Sequence, residues 1–398
     1  MIMYAFFDPL RKATRRAILM PLAALALAAC DPAALTTIGN SGGPRVDTSQ
    51  PIPVALLVPR GSGQASDDLL ARNLENAARL AMRDLNGVEI DLRVYGTAGN
   101  ASTAASQAAL AVNDGARIIL GPLYAEAANA AGVAVAPSGI NVLAFSNNTT
   151  IAGGNVFVLG STFDNTANRL VSHAASEGRD RIVIVHAQDV SGQLGRNAIQ
   201  QAVSRSGATL VGSVDYPLSQ QGVVDSVPRI KAAVDNGAAN SVFLTSPSAS
   251  ALPLLTQLLP EAGVSPSTTQ FIGLARWDIP PQTLDLPGVQ GGWFALPDPA
   301  RASAFRSQYQ AAYGTAPHPL AGLAFDGIAA IGALASQGRS NALTGAALTQ
   351  GAGFQGATGI FRLRPDGTNQ RGLAVATVRN NQVVVISPAP GGFGGAGF

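Results

Sequence analysis

The chain has 398 residues, of which 47% are hydrophobic and 13% charged, and its formal net charge at pH 7 is +2. This length exceeds one typical domain and the apolar content supports a large core, so the composition predicts two lobes. A nearly neutral chain without a basic stripe argues against a nucleic-acid partner.

The first 29 residues have the features of a signal peptide. Four basic residues between positions 11 and 16 precede an apolar stretch, 17–29, which is too short to serve as a stable membrane anchor. The stretch ends at Cys30, the only cysteine, and its last residues resemble the bacterial lipobox, in which that cysteine is lipidated. The sequence therefore predicts a lipoprotein signal peptide and lipidation of Cys30; an ordinary signal peptide with a chance cysteine is the alternative. Removal of the leader leaves 22 basic and 23 acidic residues, a net charge of −1.

Two segments outside the periodic part of the chain are predicted to lack regular structure. Residues 30–52 are rich in Gly, Ser, Thr and Pro and read as a flexible tether. The Gly-rich end, 388–398, is predicted to be a disordered tail.

The first half of the folded body alternates strands with helices. Predicted strands are 54–58, 90–95, 117–122 and 142–145, and predicted helices are 66–85, 101–114 and 124–131. This rhythm with short connections indicates a parallel sheet covered on both faces. Ligand sites in such sheets lie at the carboxyl ends of the strands. Gly121-Pro122 and Ser146-Asn147-Asn148 directly follow two neighbouring predicted strands, and we call these two short segments the tips of the strands.

The same rhythm restarts after Gly160. Predicted strands are 181–186, 209–216, 241–245 and 270–273, and predicted helices are 164–177, 192–206, 224–236 and 249–261. Helices at 300–313 and 319–336 and short strands at 359–363, 372–378 and 383–386 complete the chain. The folded body therefore contains two successive strand–helix halves of similar size.

The order of these motifs resembles the type 1 periplasmic binding protein fold, as in leucine/isoleucine/valine-binding proteins. Gly121-Pro122-Leu123, Ala144–Asn147, Ala324–Ala329 and the closing segment 358–373 carry the resemblance, which spans about residues 53–386. It implies a two-lobed α/β fold, each lobe a parallel-sheet α/β sandwich, with a ligand cleft between the lobes. On this resemblance we predict one lobe from 53–160 and 297–356, a second lobe from 161–296 and 357–387, and three hinge crossings near residues 160, 296 and 356. Together with the lipobox, the chain looks most like penicillin-binding-protein activator lipoproteins, which stimulate a peptidoglycan synthase.

The predicted cleft is lined by eight residues from both lobes. They are Ser62, Gln64, Tyr124, Ser146, Asn147, Asp189, Gln193 and Trp277. Leu194 stands where amino-acid binders of this family often carry an aromatic residue. Ala275 stands where branched-chain binders place the acid for the ligand's ammonium. A desolvated ammonium without a countercharge is costly, so these departures argue against a free amino acid as ligand.

No catalytic constellation is present in the sequence. Cys30 lies at the processing site, and the histidines at 173, 186 and 318 form no ligand-spaced pair. No Gly-x-Ser-x-Gly elbow joins a predicted strand to a predicted helix, since the one match, residues 39–43, lies in the predicted tether. Gly351-x-Gly-x-x-Gly356 lacks the preceding strand of a dinucleotide site. We therefore predict a protein that is not an enzyme and that uses no cofactor and no metal.

Two functional hypotheses follow. The first is a non-catalytic cell-envelope lipoprotein that activates a peptidoglycan synthase, with a class A penicillin-binding protein as its partner. The alternative is the solute-binding lipoprotein of an ABC importer for amino acids or other small polar solutes, with an ABC permease as its partner. Both predict a lipid anchor at the periplasmic face of a membrane, room for a small polar ligand and no nucleic acid. The departures at Leu194 and Ala275 favour the first.

Overall fold

The computed structural model describes residues 43–394. The predicted signal peptide, Cys30 and most of the predicted tether lie outside the described residues. Within residues 43–394, no helix is long and apolar enough to cross a membrane.

A five-stranded parallel sheet forms the centre of the first lobe. Its strands are β1 (Ile52–Val58), β2 (Ile90–Gly96), β3 (Ile118–Leu120), β4 (Val142–Ala144) and β5 (Val156–Val158). They lie in the order β2-β1-β3-β4-β5, with Leu56 of β1 facing Val94 of β2 and Leu120 of β3. Helices α1 (Ala65–Arg83), α2 (Ala101–Asn113) and α3 (Ala125–Val135) connect the strands. Because β1 is apolar along its length and almost fully buried, it forms the middle of the core.

The second lobe is built on a seven-stranded mixed sheet. Its strands are β6 (Arg181–Ala187), β7 (Thr209–Tyr216), β8 (Ser241–Leu244), β9 (Gln270–Gly273), β10 (Trp293–Pro297), β14 (Leu373–Arg379) and β15 (Gln382–Ser387). Strands β7-β6-β8-β9-β10 are parallel, whereas β14 and β15 extend the sheet in antiparallel pairs. The helices are α4 (Phe163–Ser176), α5 (Val190–Arg205), α6 (Gln220–Asn236) and α7 (Leu252–Glu261).

Three helices and a small sheet complete the first lobe. The helices are α8 (Pro299–Tyr313), α9 (Gly322–Ala335) and α10 (Gly345–Leu348), and the antiparallel strands are β11 (Phe354–Gly356), β12 (Gly359–Leu363) and β13 (Asn369–Arg371). Short 3-10 turns lie at Ala136–Ser138, Thr149–Ile151, Pro281–Asp285 and Pro287–Val289. Phe361 and Leu363 of β12 belong to the same buried cluster as Leu120 of β3.

The chain crosses between the two lobes three times, and the predicted fold class is confirmed. It leaves the first lobe after β5, returns to it after β10 with α8, and enters the second sheet again at β14. The sequence placed the third crossing near Gly356 and assigned 357–387 to the second lobe. Because Phe361 and Leu363 pack in the core of the first lobe, we propose a boundary near Gly372 instead.

Parts of the predicted tether and tail are packed against the body. The backbone N–H of Val46 donates to the carbonyl oxygen of Ser340 at 2.9 Å, and its side chain, 6% exposed, joins the first-lobe core. The carbonyl oxygen of Pro388 accepts from Arg169 Nη2 at 3.2 Å, and the Arg362 guanidinium lies 4.6 Å from the ring centre of Phe393. Part of each segment therefore contacts the body, through the buried side chain of Val46 at one end and through Pro388 and Phe393 at the other.

Substitution of Gly121, which directly follows β3, tests how tightly the end of this strand is packed. Its φ is +81° and an added Cβ would lie 2.2 Å from the carbonyl oxygen of Leu57. Gly115 has a similar φ, +97°, but open space around it. We expect Gly115→Ala to cost about 1–2 kcal/mol for the left-handed backbone, and Gly121→Ala to cost about 1–3 kcal/mol more for the overlap. Urea denaturation of both variants measures the difference; equal costs would contradict the packing at the strand end.

Candidate functional site

A cavity of about 500 Å³ lies against the crossings between the lobes; we name it the hinge cavity. The tips after β3 and β4, the start of α9 and the small sheet contribute to its walls. Most of its lining is apolar and includes Leu123, Phe145, Pro297, Leu320, Leu323 and Ile360. Its polar lining includes Tyr124, Ser146, Asn147, Asn148, Asp326 and Arg371. Such a mixture of apolar walls and a few polar groups is typical of small-molecule sites.

Asp326 and Arg371 form a buried ion pair at the wall of the hinge cavity. Arg371 Nη1 lies 2.8 Å from Asp326 Oδ2, and the two side chains are 6% and 1% exposed. The backbone N–H of Ala357 donates to Asp326 Oδ1 at 2.7 Å, and Arg371 Nε donates to the carbonyl oxygen of Leu159 at 3.0 Å. Burial raises the pKa of the Asp326 carboxyl, against the opposing effect of Arg371. The pair ties α9, β13 and the first crossing together.

A second cavity, of about 750 Å³, lies between the tip after β4 and the starts of α4 and α5 in the second lobe; we name it the interlobe cavity. Its polar lining includes Asn147, Asn148, Asp164, Asp189, Asn197 and Gln201. Phe163, Val190 and Leu194 supply exposed apolar surface. Since Asn147 and Asn148 line both cavities, the two form adjoining parts of one cleft with walls from both lobes.

The starts of α4 and α5 position two carboxylates at the interlobe cavity. Asp189 caps α5, its Oδ1 accepting from the N–H of Gly192 at 2.7 Å. Thr162 caps α4, its Oγ1 accepting from the N–H of Asn165, and Asp164 follows in the first turn. Within residues 43–394, Asp189 Oδ2 and the Asp164 carboxylate accept no hydrogen bond from the protein. Both carboxylates therefore have acceptor capacity left for a ligand.

Four of the eight residues predicted for the cleft line these cavities. Tyr124, Ser146 and Asn147 line the hinge cavity, Asn147 also lines the interlobe cavity, and Asp189 lines the latter. Tyr124 Oη donates to Asp67 Oδ1 at 2.7 Å, and this hydrogen bond raises the pKa of the tyrosine hydroxyl.

The remaining four predicted residues lie elsewhere. Ser62, Gln64 and Gln193 line neither cavity. Trp277 was predicted wrongly: its side chain is fully buried in the second-lobe core, stacked on Phe294 with 6.2 Å between ring centres. Gly273 and Gly292 make room for the indole, since a Cβ on either would lie within 2.2 Å of it. The loop after β9 thus folds its tryptophan inward.

Sequence reasoning missed the apolar wall of the hinge cavity and the carboxylate of Asp164. Asp326 could have been singled out as a candidate site residue from the sequence, because it is the only charged residue in the otherwise apolar helix α9. Asp164 follows a Thr cap in a predicted helix start that adjoins the Gly160 crossing. Neither signal shows from sequence alone which cavity the side chain lines.

Comparison with protein-family models shows to which family the chain belongs. The model of the family described as "Periplasmic binding protein" matches residues 51–382. The chain belongs to the periplasmic binding protein family. Members of this family are typically ligand binders rather than enzymes, and they work in the periplasm or otherwise outside the cytoplasm. No functionally curated protein matches the sequence.

Solved structures agree on the fold of this periplasmic binding protein. A protein from Rhodospirillum rubrum assigned as a branched-chain amino acid ABC transporter superposes with a TM-score of 0.71 at 20% identity, covering 85% of this chain and 100% of its own. An ABC transporter substrate-binding protein from Desulfitobacterium hafniense in complex with Leu gives 0.60 at 17%, with 85% and 100% coverage. A solute-binding protein from Rhodopseudomonas palustris in complex with 3,4-dihydroxybenzoic acid gives 0.55 at 19%, with 85% and 96% coverage. At these identities the likeness establishes the fold alone.

Metal chemistry finds no support in the described part of the chain. Residues 43–394 contain no group of three or more His, Cys, Asp or Glu side chains arranged to hold a metal ion. The cleft offers hydrogen bonding, charge and apolar contact, which suffice for reversible binding of a small molecule.

Proposed function

We propose that this protein is the non-catalytic solute-binding component of an ABC importer. The observation that carries the proposal is the divided cleft, whose polar and apolar groups come from both lobes. An importer needs a solute site with walls on two lobes, so that closure of the lobes encloses the solute. The closed lobes then form the surface that a permease recognises. The neighbours described as ABC transporter proteins support the same conclusion.

The absence of an acid at Ala275 does not argue against a solute with an ammonium group. Asp164 and Asp189 line the interlobe cavity from the second lobe, and each has a carboxylate oxygen free of protein partners within residues 43–394. A countercharge for an ammonium is therefore available a few elements away from the position where the family resemblance placed it. This removes the main sequence argument against the importer hypothesis.

Activation of a peptidoglycan synthase remains the second candidate. It rests on the resemblance of Gly121-Pro122-Leu123 and Ala144–Asn147 to activator lipoproteins. The hinge cavity is lined by four residues of these motifs, Leu123, Phe145, Ser146 and Asn147. A role in the cleft therefore explains the motifs at least as well as a role on an outer surface. An activator that acts through an exposed patch does not need a cleft of this size, which makes the importer the better-supported function.

The proposed site of action is the periplasmic face of a membrane. Cys30, which lies outside the described residues, would carry the lipid, and residues up to about 42 would link it to the packed segment that begins near Val46. A lipid-anchored binding protein would meet its permease by diffusion along the membrane.

Asn147 lines both cavities, and its replacement tests the cleft as a solute site. We expect at least one of leucine, 3,4-dihydroxybenzoic acid and 4-phenylbutylamine to raise the melting temperature of the protein. Asn147→Ala should weaken binding of that solute about tenfold, since a lost hydrogen bond costs about 1 kcal/mol or more. Isothermal titration calorimetry gives both affinities.

Gln64→Ala is the matched control, because Gln64 is an exposed amide on the first lobe that lines neither cavity. Its affinity should equal that of the unaltered protein. The proposal fails if no solute of this panel binds, or if Asn147→Ala binds the solute as tightly as the unaltered protein does.

A further inference from the structure

The two cavities differ in charge and polarity in a way that restricts the solute. The hinge cavity is walled mainly by apolar side chains, and the only charged groups among its described lining residues, Asp326 and Arg371, neutralise one another in a buried ion pair. Every polar atom of that pair named above already has a partner from the protein. The hinge cavity therefore favours an apolar group and offers no free charge to a ligand.

The interlobe cavity has an excess of negative charge. Asp164 and Asp189 line it, and no Lys, Arg or His is among its described lining residues. The amides of Asn147, Asn148 and Asn197 provide neutral hydrogen-bonding groups around the carboxylates. A ligand that carried only a carboxylate would meet two like charges there, whereas a protonated amine would meet opposite charges.

Exposed apolar side chains lie on both sides of the shared amides. Tyr124 and Leu320 are exposed at the hinge cavity, and Phe163, Val190 and Leu194 are exposed at the interlobe cavity. Large apolar side chains left in water around a cleft indicate a surface that is covered when the site is occupied. The cleft as a whole thus combines a wide apolar surface with carboxylates at one end.

We infer that the solute is an amphipathic amine, whose apolar body occupies the hinge cavity and whose protonated nitrogen reaches Asp164 and Asp189 past Asn147 and Asn148. This inference rests on the proposed solute-binding function and names the class of solute. The combined size of the two cavities, about 500 and 750 Å³, suits a ligand longer than a free amino acid. A net positive charge on the ligand sets it apart from the zwitterionic and anionic ligands of the neighbours described above.

A matched pair of probes tests the charge preference. Titration calorimetry of the mature protein with 4-phenylbutylamine and with 4-phenylbutyrate compares the same apolar body with opposite charges, and leucine serves as the zwitterion. We expect the amine to bind at least tenfold more tightly than the acid and than leucine. Added salt should weaken the binding of the amine, because the interaction includes exposed charges.

Substitutions test whether Asp164 and Asp189 cause the preference for the amine over the acid. Asp189→Asn removes the charge while the amide oxygen continues to cap α5, and Asp164→Asn removes a charge without breaking any hydrogen bond within residues 43–394. Each should lower the affinity for the amine at least fivefold and leave that for the acid unchanged or improved. Asp225→Asn, an exposed acid on α6 that lines neither cavity, should change neither affinity. Leu320→Asn should weaken both probes, because it alters the apolar wall.

The outcomes separate the inference from the function on which it rests. Binding of the acid or of leucine as tightly as the amine would overturn the amine class and still support solute binding. The same holds if the amine preference survives in both Asp164→Asn and Asp189→Asn. Failure of all three probes to bind would overturn the amine class and count against the proposed function as well.

Discussion

Asp326→Ala is expected to lower the free energy of unfolding by about 3–5 kcal/mol, because it leaves a buried guanidinium without its countercharge. The substitution removes the 2.8 Å ion pair with Arg371 and the acceptor of the Ala357 N–H. Both side chains are almost fully buried, so the guanidinium that remains is poorly solvated. Urea denaturation followed by far-UV circular dichroism measures the change.

Two further variants show that the loss comes from burial of an unpaired charge. Arg60→Ala breaks an ion pair of the same length, 2.8 Å, whose side chains are 45% and 21% exposed; we expect it to cost about 0–1 kcal/mol. The double variant Asp326→Leu/Arg371→Met replaces both charges by apolar groups and should recover most of the stability lost in Asp326→Ala. Similar costs for Asp326→Ala and Arg60→Ala, or no recovery in the double variant, would contradict this account of the pair.

Trp277→Ala should cost about 3–5 kcal/mol of folding free energy and leave the affinity for a solute of the cleft unchanged. The indole is fully buried against Phe294 in the second-lobe core, so its removal leaves a large void beside Gly273 and Gly292. Because Trp277 lines neither cavity, the binding groups stay in place wherever the variant remains folded. Denaturation gives the first quantity, and calorimetry well below the melting temperature gives the second.

Trp277→Phe is the conservative comparison, since it keeps an aromatic ring that can stack on Phe294; it should cost clearly less than Trp277→Ala. The chain has two tryptophans, and Trp277 is the fully buried one. Fluorescence of a Trp293→Phe variant, which reports Trp277 alone, should therefore resist quenching by acrylamide with or without solute. A large loss of solute affinity in Trp277→Phe would restore the cleft role that the sequence suggested.

The regular part of the fold could be predicted because local patterns specify it. Short, fully apolar runs such as 54–58 and 118–120 become buried parallel strands, and the alternation with helices restricts them to sheets covered on both faces. The same logic placed the tips after β3 and β4 at one edge, so Tyr124, Ser146 and Asn147 were found as cleft residues. Asp189 followed from its position after a predicted strand and before a helix.

Residues whose environment depends on distant parts of the chain could not be placed this way. A tryptophan in a loop turns inward only where the neighbouring strands leave room for it, as Gly273 of β9 and Gly292 before β10 do for Trp277. The strand pattern of 359–371 fits either lobe, and only the place of Phe361 and Leu363 in the buried cluster of the first lobe assigns it there. Polar, glycine-rich composition predicted flexibility at both ends, although single side chains such as Val46 and Phe393 gain burial or ring contacts there.

The sequence by itself predicted successive α/β units built mainly on parallel strands, because periods of apolar residues report local structure and burial directly. The resemblance to a known fold added the two lobes and the three crossings. Only the tertiary structure decided which of the predicted residues line the cleft and which further groups join them. The ion pair of Asp326 and Arg371, 45 residues apart, and the convergence of Asp164 and Asp189 with Asn147 each require elements from different parts of the chain. Contacts of this kind depend on how distant elements pack together. The spacing of two residues along the chain does not determine the distance between their side chains in the folded protein.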